Sequence, residues 1–415
     1  MRLPRMDDSL ALARRGYGWL PERRRQDGRR TVRGRLLGLP VLAVEGPEGA
    51  RFVYDEDHVR RAHAIPEPVQ ATLFGKGAVH TLDGPEHRVR KQLFVDLLVD
   101  DTPGRPALVP LVERVTAAWD DAVPGWARQG SVVLFDEAAR VLTRGVCGWA
   151  GVPLEDDGVP AMARDLTAMV DGFATGGPRH WRARRARNRR EAELAHLVAD
   201  VRGGRRAVPA GSVVDAVARH RDASGEQLDP RVAAVEVLNV VRPTVAVSWF
   251  VAFAAHALLH WPGVRERLAA GDPAYAEAFA HELRRFYPFA PFIGGRAPRA
   301  VEFDGVRVPA HAMVLVDLYD TDHDRELWED PSAFRPERFL DREIDPWELV
   351  PQGAGDPRTG HRCPGEQITV ALLSALGARL ARLRADVPEQ DLTISLRRIP
   401  ALPADRVVLR VHGTG

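Results

Sequence analysis

The sequence predicts a mainly α-helical protein with a minor β region. Three observations carry this prediction. From about residue 107 to 285, apolar residues recur at three- and four-residue spacing, the helical period. Short runs bounded by Gly and Pro, at about 31–55 and 300–320, read as strands. A second helical pattern covers about 366–384.

Taken in order, Thr31 to Val44 and Ala50 to Tyr54 are expected as strands between Gly and Pro turns. In the helical part that follows, Asp229-Pro230 is a start signal, an N-cap acid before a proline in the first turn. The apolar pattern runs on to Leu259, and Trp261-Pro262-Gly263 stops it. At 1.5 Å per residue this helix is about 45 Å long, and its apolar character sends it through the middle of the domain. Val301–Phe303, Arg307–Val308 and Val314–Leu318 are expected as strands. A helix follows over Gln367–Arg384, then strand-like pieces at Leu392–Leu396 and Arg406–Val411. No internal repeat or low-complexity linker interrupts the chain, so residues 1–415 are read as one domain.

Composition narrows the function classes. The chain is 45% hydrophobic and 28% charged, too apolar for a disordered protein. Lys+Arg (58) and Asp+Glu (57) nearly cancel, so no nucleic-acid partner is expected. The basic run Arg179 to Arg190 is read as a solvated helix face. Val245 to Leu259, the longest nearly uninterrupted apolar run, falls short of the roughly 18–20 residues of a membrane span. The N-terminus lacks the apolar segment of a signal peptide. Two cysteines, Cys147 and Cys363, exclude a disulfide framework or a Cys-rich zinc site and fit a reduced cytoplasmic compartment.

Two places carry chemistry. The middle of the long helix reads Asn239-Val240-Val241-Arg242-Pro243-Thr244. Proline there removes a backbone hydrogen bond, and a buried arginine demands an anion. Either Arg242 pairs with Glu236 or another acid at a structural kink, or its guanidinium grips an anionic ligand. Near the C-terminus, glycines flank Cys363 just before a helix, where a helix N-terminus favours the thiolate. A lone thiolate suits a haem iron, with His361 and Arg362 as donors for the propionates; the alternative is a structural cysteine in a Gly-rich turn. Cys147, in an apolar helical stretch, is read as core.

Glu282-Leu283-Arg284-Arg285 places Glu282 and Arg285 one turn apart, and Phe334-Arg335-Pro336-Glu337-Arg338-Phe339 follows after the short β section. With the cysteine loop, in this order, they resemble the cytochrome P-450 superfamily. The resemblance implies its fold, with a long central helix over haem b (iron protoporphyrin IX), the Cys363 thiolate as axial ligand, and Glu282 and Arg285 locked to Arg338. Most members carry an acid and an alcohol at mid-helix. Arg242-Pro243 stands there instead, which resembles the bacterial fatty-acid peroxygenases.

Leu73-Phe74-Gly75, Asp83-Gly84, His87, Arg90-Lys91, the segment from Gly177 to Trp181, the segment from Tyr287 to Phe292, and a lengthened cysteine loop with Asp356 seven residues before the cysteine support that branch. Gly294-Gly295-Arg296 departs from it, since a more apolar run is expected. The branch implies hydroxylation of fatty acids at Cα or Cβ by hydrogen peroxide, or their decarboxylation to terminal alkenes, with no obligatory reductase. In that reading Arg242 binds the carboxylate and Pro243 kinks the helix. His80 stands where the family has a glutamine in hydroxylases and a histidine in an alkene-forming decarboxylase. Phe74, Phe173 and Phe289 are candidates for the channel wall. Arg61, His87, Lys91 and His361 are candidates for the propionates. The rival readings are a conventional dioxygen-dependent monooxygenase with redox partners, and a haem protein that binds carboxylates without turnover.

Overall fold

A computed structural model describes residues 7–99, 108–173 and 175–414. The first strands are β1 (Val32–Leu36) and β2 (Leu39–Val44), an antiparallel hairpin inside the expected span. Ala50–Tyr54, expected as a strand, is instead the end of helix α1 (Gly46–Tyr54). Pro47 sits in its first turn, where a missing N–H costs nothing. Ala50 and Val53, one turn apart, are fully buried while Arg51 stays outside. Five residues are too few for apolar period alone to separate helix from strand.

The helical body comprises α2 (Gly84–Leu98), α3 (Val109–Gln129), α4 (Leu134–Ala150), α5 (Val159–Asp171) and α6 (Gly177–Arg202), then α7 (Pro230–Val245), α8 (Val247–His260) and α9 (Pro273–Phe286). Residue 107, where the helical part is expected to begin, lies outside the described residues. The basic face of α6 is largely ion-paired: Arg179 with Asp171, Arg184 with Glu67, and Arg189 and Arg190 with Asp165. Arg187 departs from the expected solvated face and is buried.

α7 and α8 form the expected long helix. The Asp229 carboxylate caps it by accepting the Arg231 N–H at 2.8 Å. It breaks at Ala246, three residues after Pro243, where the Trp249 N–H reaches back only to the Ala246 carbonyl. Proline cannot donate to the preceding turn, and the helix tightens just beyond it. Pro230–His260 is long and apolar enough to cross a membrane, yet its most apolar window is 94% buried in the protein. It is a core helix. Val241, Trp249 and Phe253 share one core with Leu142 of α4, Leu166 of α5 and Phe279 of α9.

β3 (Phe292–Arg296) and β4 (Met313–Asp317) complete the sheet, ordered β1-β2-β4-β3, with β2 parallel to β4 and β3 antiparallel to it. Gly294 and Gly295, where an apolar run is expected, lie in β3. A Cβ on Gly294 would stand 2.1 Å from the Val314 carbonyl oxygen, and one on Gly295 2.3 Å from that of Arg60. The backbones approach too closely for a side chain. The C-terminal part is α10 (Glu366–Arg382), β5 (Leu383–Asp386) and β6 (Val408–Thr414). Residues 383 and 384, expected at the end of the helix, open β5, which pairs with β6. Leu392–Leu396, expected as a strand, makes one isolated bridge, Ile394 to Pro403. Its pairing partners are spent on each other, which local pattern does not reveal.

Candidate active site

Cys363 lies in the loop that enters α10. The residue is half-buried, its N–H donates to the Gln352 carbonyl at 3.1 Å, and Gln352 Nε2 lies 3.8 Å from Sγ. Burial pushes the thiol up; the Gly365 N–H and the charge of Lys91 oppose this. The expected lowering by the helix start is therefore outweighed by burial. Glu366 braces the loop, accepting from Arg362 at 2.6 and 2.9 Å and from Arg284. Arg362, expected to reach the propionates, is committed to Glu366 and to the Pro346 carbonyl at 2.7 Å. The carboxylate needs that cation because it too is buried.

A second group of nitrogen-bearing side chains converges beside the loop. Lys91, on α2, donates to the Arg362 carbonyl at 2.6 Å and is only 4% exposed, so it is no surface lysine. Burial brings it down to about 8. His87 stacks on His361 with ring centroids 3.9 Å apart, and burial brings His87 down to about 3. Arg61 lies over the Tyr54 ring at 5.1 Å. Asp83 accepts the Arg61 and Ala62 N–H groups at 2.8 Å each and faces His361 at 3.6 Å. Arg61 Nη1, His87 Nδ1, His361 Nε2 and the Tyr54 hydroxyl are buried without hydrogen-bond partners. Buried orphan donors are rare, so this group fits a ligand bearing anionic oxygens. Two charged side chains and two imidazoles beside a half-buried cysteine fit the propionate and iron ends of a haem.

Arg242 is 6% exposed, and no acid among the described residues pairs with it. Its one hydrogen bond runs from Nη2 to Asn239 Oδ1 at 3.4 Å, and Nε has none. Glu236, the alternative partner weighed from sequence, turns away. It accepts from Arg90 at 2.7 Å, from the Val79 N–H at 2.9 Å and from Asn239 at 3.1 Å. Burial, then the charge of Arg187, bring the Arg242 guanidinium down to about 9. A guanidinium keeps its proton at neutral pH, so the cost is relieved by an arriving anion.

The Glu236 anchor also sets His80, one residue beyond Val79. Its ring lies 4.6 Å from the Phe74 ring, and its Nδ1 is unpaired. Burial and the Arg242 charge hold His80 well below its ordinary value, so it is neutral. Arg187 holds the other side of this loop, donating to the Leu73 and Phe74 carbonyls at 2.6 and 2.9 Å. Phe289 packs on Phe250 and Trp249 at 5.2 and 6.2 Å. Phe173, in the turn after α5, is partly buried and makes no ring contact with Phe74 or Phe289.

Sequence reasoning missed Glu236, Arg90 and Arg187 as the braces of this loop, and Gln352 beside the sulfur. Arg187 sat in a run of arginines, where one buried member leaves no local signal. On the far side of α10, Glu282 and Arg285 are fully buried and paired at 2.8 Å through both oxygens. Arg338 joins the same carboxylate at 3.0 Å, as expected.

A family profile for cytochrome P450 matches residues 272–403. Solved structures match the whole chain. A variant of cytochrome P450SP alpha (CYP152B1) is 41% identical, covers 99% of this chain and 100% of its own, and superposes with a TM-score of 0.94. A variant of cytochrome P450 OleT in complex with arachidonic acid is 34% identical over 99% of this chain and 98% of its own, at 0.93. Cytochrome P450EX alpha (CYP152N1) with myristic acid is 36% identical over the same shares, at 0.92.

Proposed function

Because the chain belongs to the cytochrome P450 family and is similar along its length to CYP152 members, two of them holding long-chain fatty acids, we propose that it is a fatty-acid peroxygenase. It uses hydrogen peroxide to hydroxylate fatty acids at Cα or Cβ and to decarboxylate some of them to terminal alkenes. The observation that carries this is Arg242, a buried guanidinium just before the break of the central helix with no acid paired to it among the described residues.

The family's haem is held by Cys363. We assign it as haem b, with Arg61, His87, Lys91 and His361 meeting the propionates; the unpaired buried nitrogens of Arg61, His87 and His361 support this. When bound, the haem would supply peroxide activation and oxygen-transfer chemistry, with Cys363 as the electron-donating thiolate. The chain's own residues do the rest. Arg242 fixes the substrate carboxylate through a charge-assisted bond and orients the alkyl chain along Phe74, Phe173 and Phe289. Pro243 opens the helix where the carboxylate must sit. Neither Arg242 nor Pro243 exchanges a proton, so the docked carboxylate is the acid–base group that moves the proton of peroxide between its oxygens. Activity then depends on the substrate's acid group and needs no electron-supplying partner. Neutral His80 fixes the carboxylate by hydrogen bonding and biases the outcome toward decarboxylation. A reducing compartment such as the cytoplasm keeps Cys363 free for the iron.

The test is purified protein with hydrogen peroxide and C10 to C18 acids, read by gas chromatography–mass spectrometry. Hydroxy acids accompanied by terminal alkenes, without any reductase, are expected, and His80→Gln shifts the ratio toward hydroxy acids. Product only with reductase and dioxygen would establish a conventional monooxygenase instead.

A further inference from the structure

Apart from the haem channel, the protein carries a cavity of about 530 Å³ between α4, α5, α6, α8 and the C-terminal loop. That volume is within the range of small-molecule sites. None of Cys363, Arg242, His80, Phe74, Phe173 and Phe289 lines it. Its lining holds eight arginines and three aspartates. The aspartates are already engaged: Asp171 with Arg179 and Arg398, Asp165 with Arg189, Asp136 with Arg406. Arg164, Arg182 and Arg185 have no acid partner among the described residues and are exposed to solvent. Apart from Thr167, whose hydroxyl donates to the Ala163 carbonyl at 2.8 Å, the remaining wall is largely apolar, with Phe135, Ala139, Ala163, Ala186 and Leu402.

Among the described lining residues, one buried polar group is unsatisfied. Trp249, 1% exposed, lines the cavity, and its indole N–H has no hydrogen-bond partner. Its ring meets Phe135 edge-on at 4.6 Å and Phe289 at 6.2 Å, so it is shared between this cavity and the wall of the haem channel. A buried donor without an acceptor is costly and marks a place where a ligand supplies one.

We propose that this cavity is a second ligand site, for an amphipathic organic anion. The head, a phosphate or carboxylate, meets the unpaired arginines, whose planar forks suit either oxyanion. The apolar body fills the alanine- and leucine-lined part, and a carbonyl or hydroxyl oxygen on that body accepts from Trp249.

The experiment uses ferric holoenzyme saturated with myristic acid, the haem channel being reported by the iron spin state. Two probes are titrated by calorimetry: an acyl glycerol phosphate for the phosphate head and a 3-hydroxy fatty acid for the carboxylate head. Expected is one further equivalent of at least one probe with the spin state unchanged; the probe that binds identifies the head. The double variant Arg182→Glu/Arg185→Glu, altering two exposed unpaired side chains, should weaken binding at least about tenfold. Trp249→Phe, which keeps the ring contacts and loses the donor, should weaken it by a smaller factor. No further equivalent of either probe overturns the proposal. So does reversal of the myristate spin shift by the probe, or equal affinity in the double variant.

Discussion

Arg242 and Arg90 are both buried cations that reach the central helix, and the difference between them is one carboxylate. Arg90 holds Glu236 at 2.7 Å, whereas Arg242 holds only an amide oxygen. An ion stripped of water and left without a counter-ion is the costliest state a side chain can occupy. The fold keeps Arg242 in that state, which supports the proposal that it binds a carboxylate. Arg242→Ala should cut peroxide-driven turnover of long-chain acids at least about 100-fold, the loss of a charge-assisted bond of roughly 3 kcal/mol. The haem-to-protein ratio should be unchanged, because Arg242 does not touch the cysteine loop or the propionate donors. Steady-state rates and haem content measured on the same preparation check both halves. Retained turnover would show that the carboxylate is held elsewhere.

At the scale of elements, two departures from regular structure position the site. The break at Ala246 divides the central helix just past Arg242-Pro243. The glycine pair in β3 lets that strand press against β4 and against the backbone at Arg60, next to Arg61 among the nitrogen-bearing side chains beside the cysteine loop. Gly294→Ala would drive a methyl group into the Val314 carbonyl. It should lower the folding free energy by about 1–3 kcal/mol, the usual cost of overpacking. A fall in thermal midpoint of a few degrees is the expected reading. An unchanged midpoint would mean that the strands can separate without cost.

Across the whole molecule, burial decides how the charged groups behave. His281 is brought down to about 3 by burial and the Arg284 charge, and His323 to about 4 by burial and the Arg285 charge. Both folded values lie below the ordinary 6.5, so the unfolded chain binds more protons in this range. Their contribution is fully present above about pH 6.5 and is lost as pH falls toward 4 and 3, at about 1.4 kcal/mol per pH unit for each histidine. Thermal midpoints measured from pH 7 to 4 should fall, and His323→Gln should flatten that limb by one proton. An acid limb of equal slope in that variant would assign the loss to other groups.

The helical class, the long central helix, Cys363, Arg242-Pro243 and the Glu282–Arg285–Arg338 cluster were all legible in the sequence. The helical class and the long helix are written locally, in a period and a capping acid before proline; the cysteine among glycines and the charges one turn apart are local marks too, but their roles, and the link to Arg338, came from the resemblance of the motifs taken together. Local chemistry of that kind is determined by residue type and spacing. What the tertiary structure decided is which groups meet. It took Glu236 away from Arg242 and gave it to Arg90, buried Lys91 and Arg187, turned Ala50–Tyr54 into a helix, and used Arg362 on Glu366 rather than on a ligand. It also left the indole of Trp249 without an acceptor. These outcomes depend on contacts between residues far apart in the chain. In a low-dielectric interior, pairing or its absence sets whether a charge is a brace or a binding site.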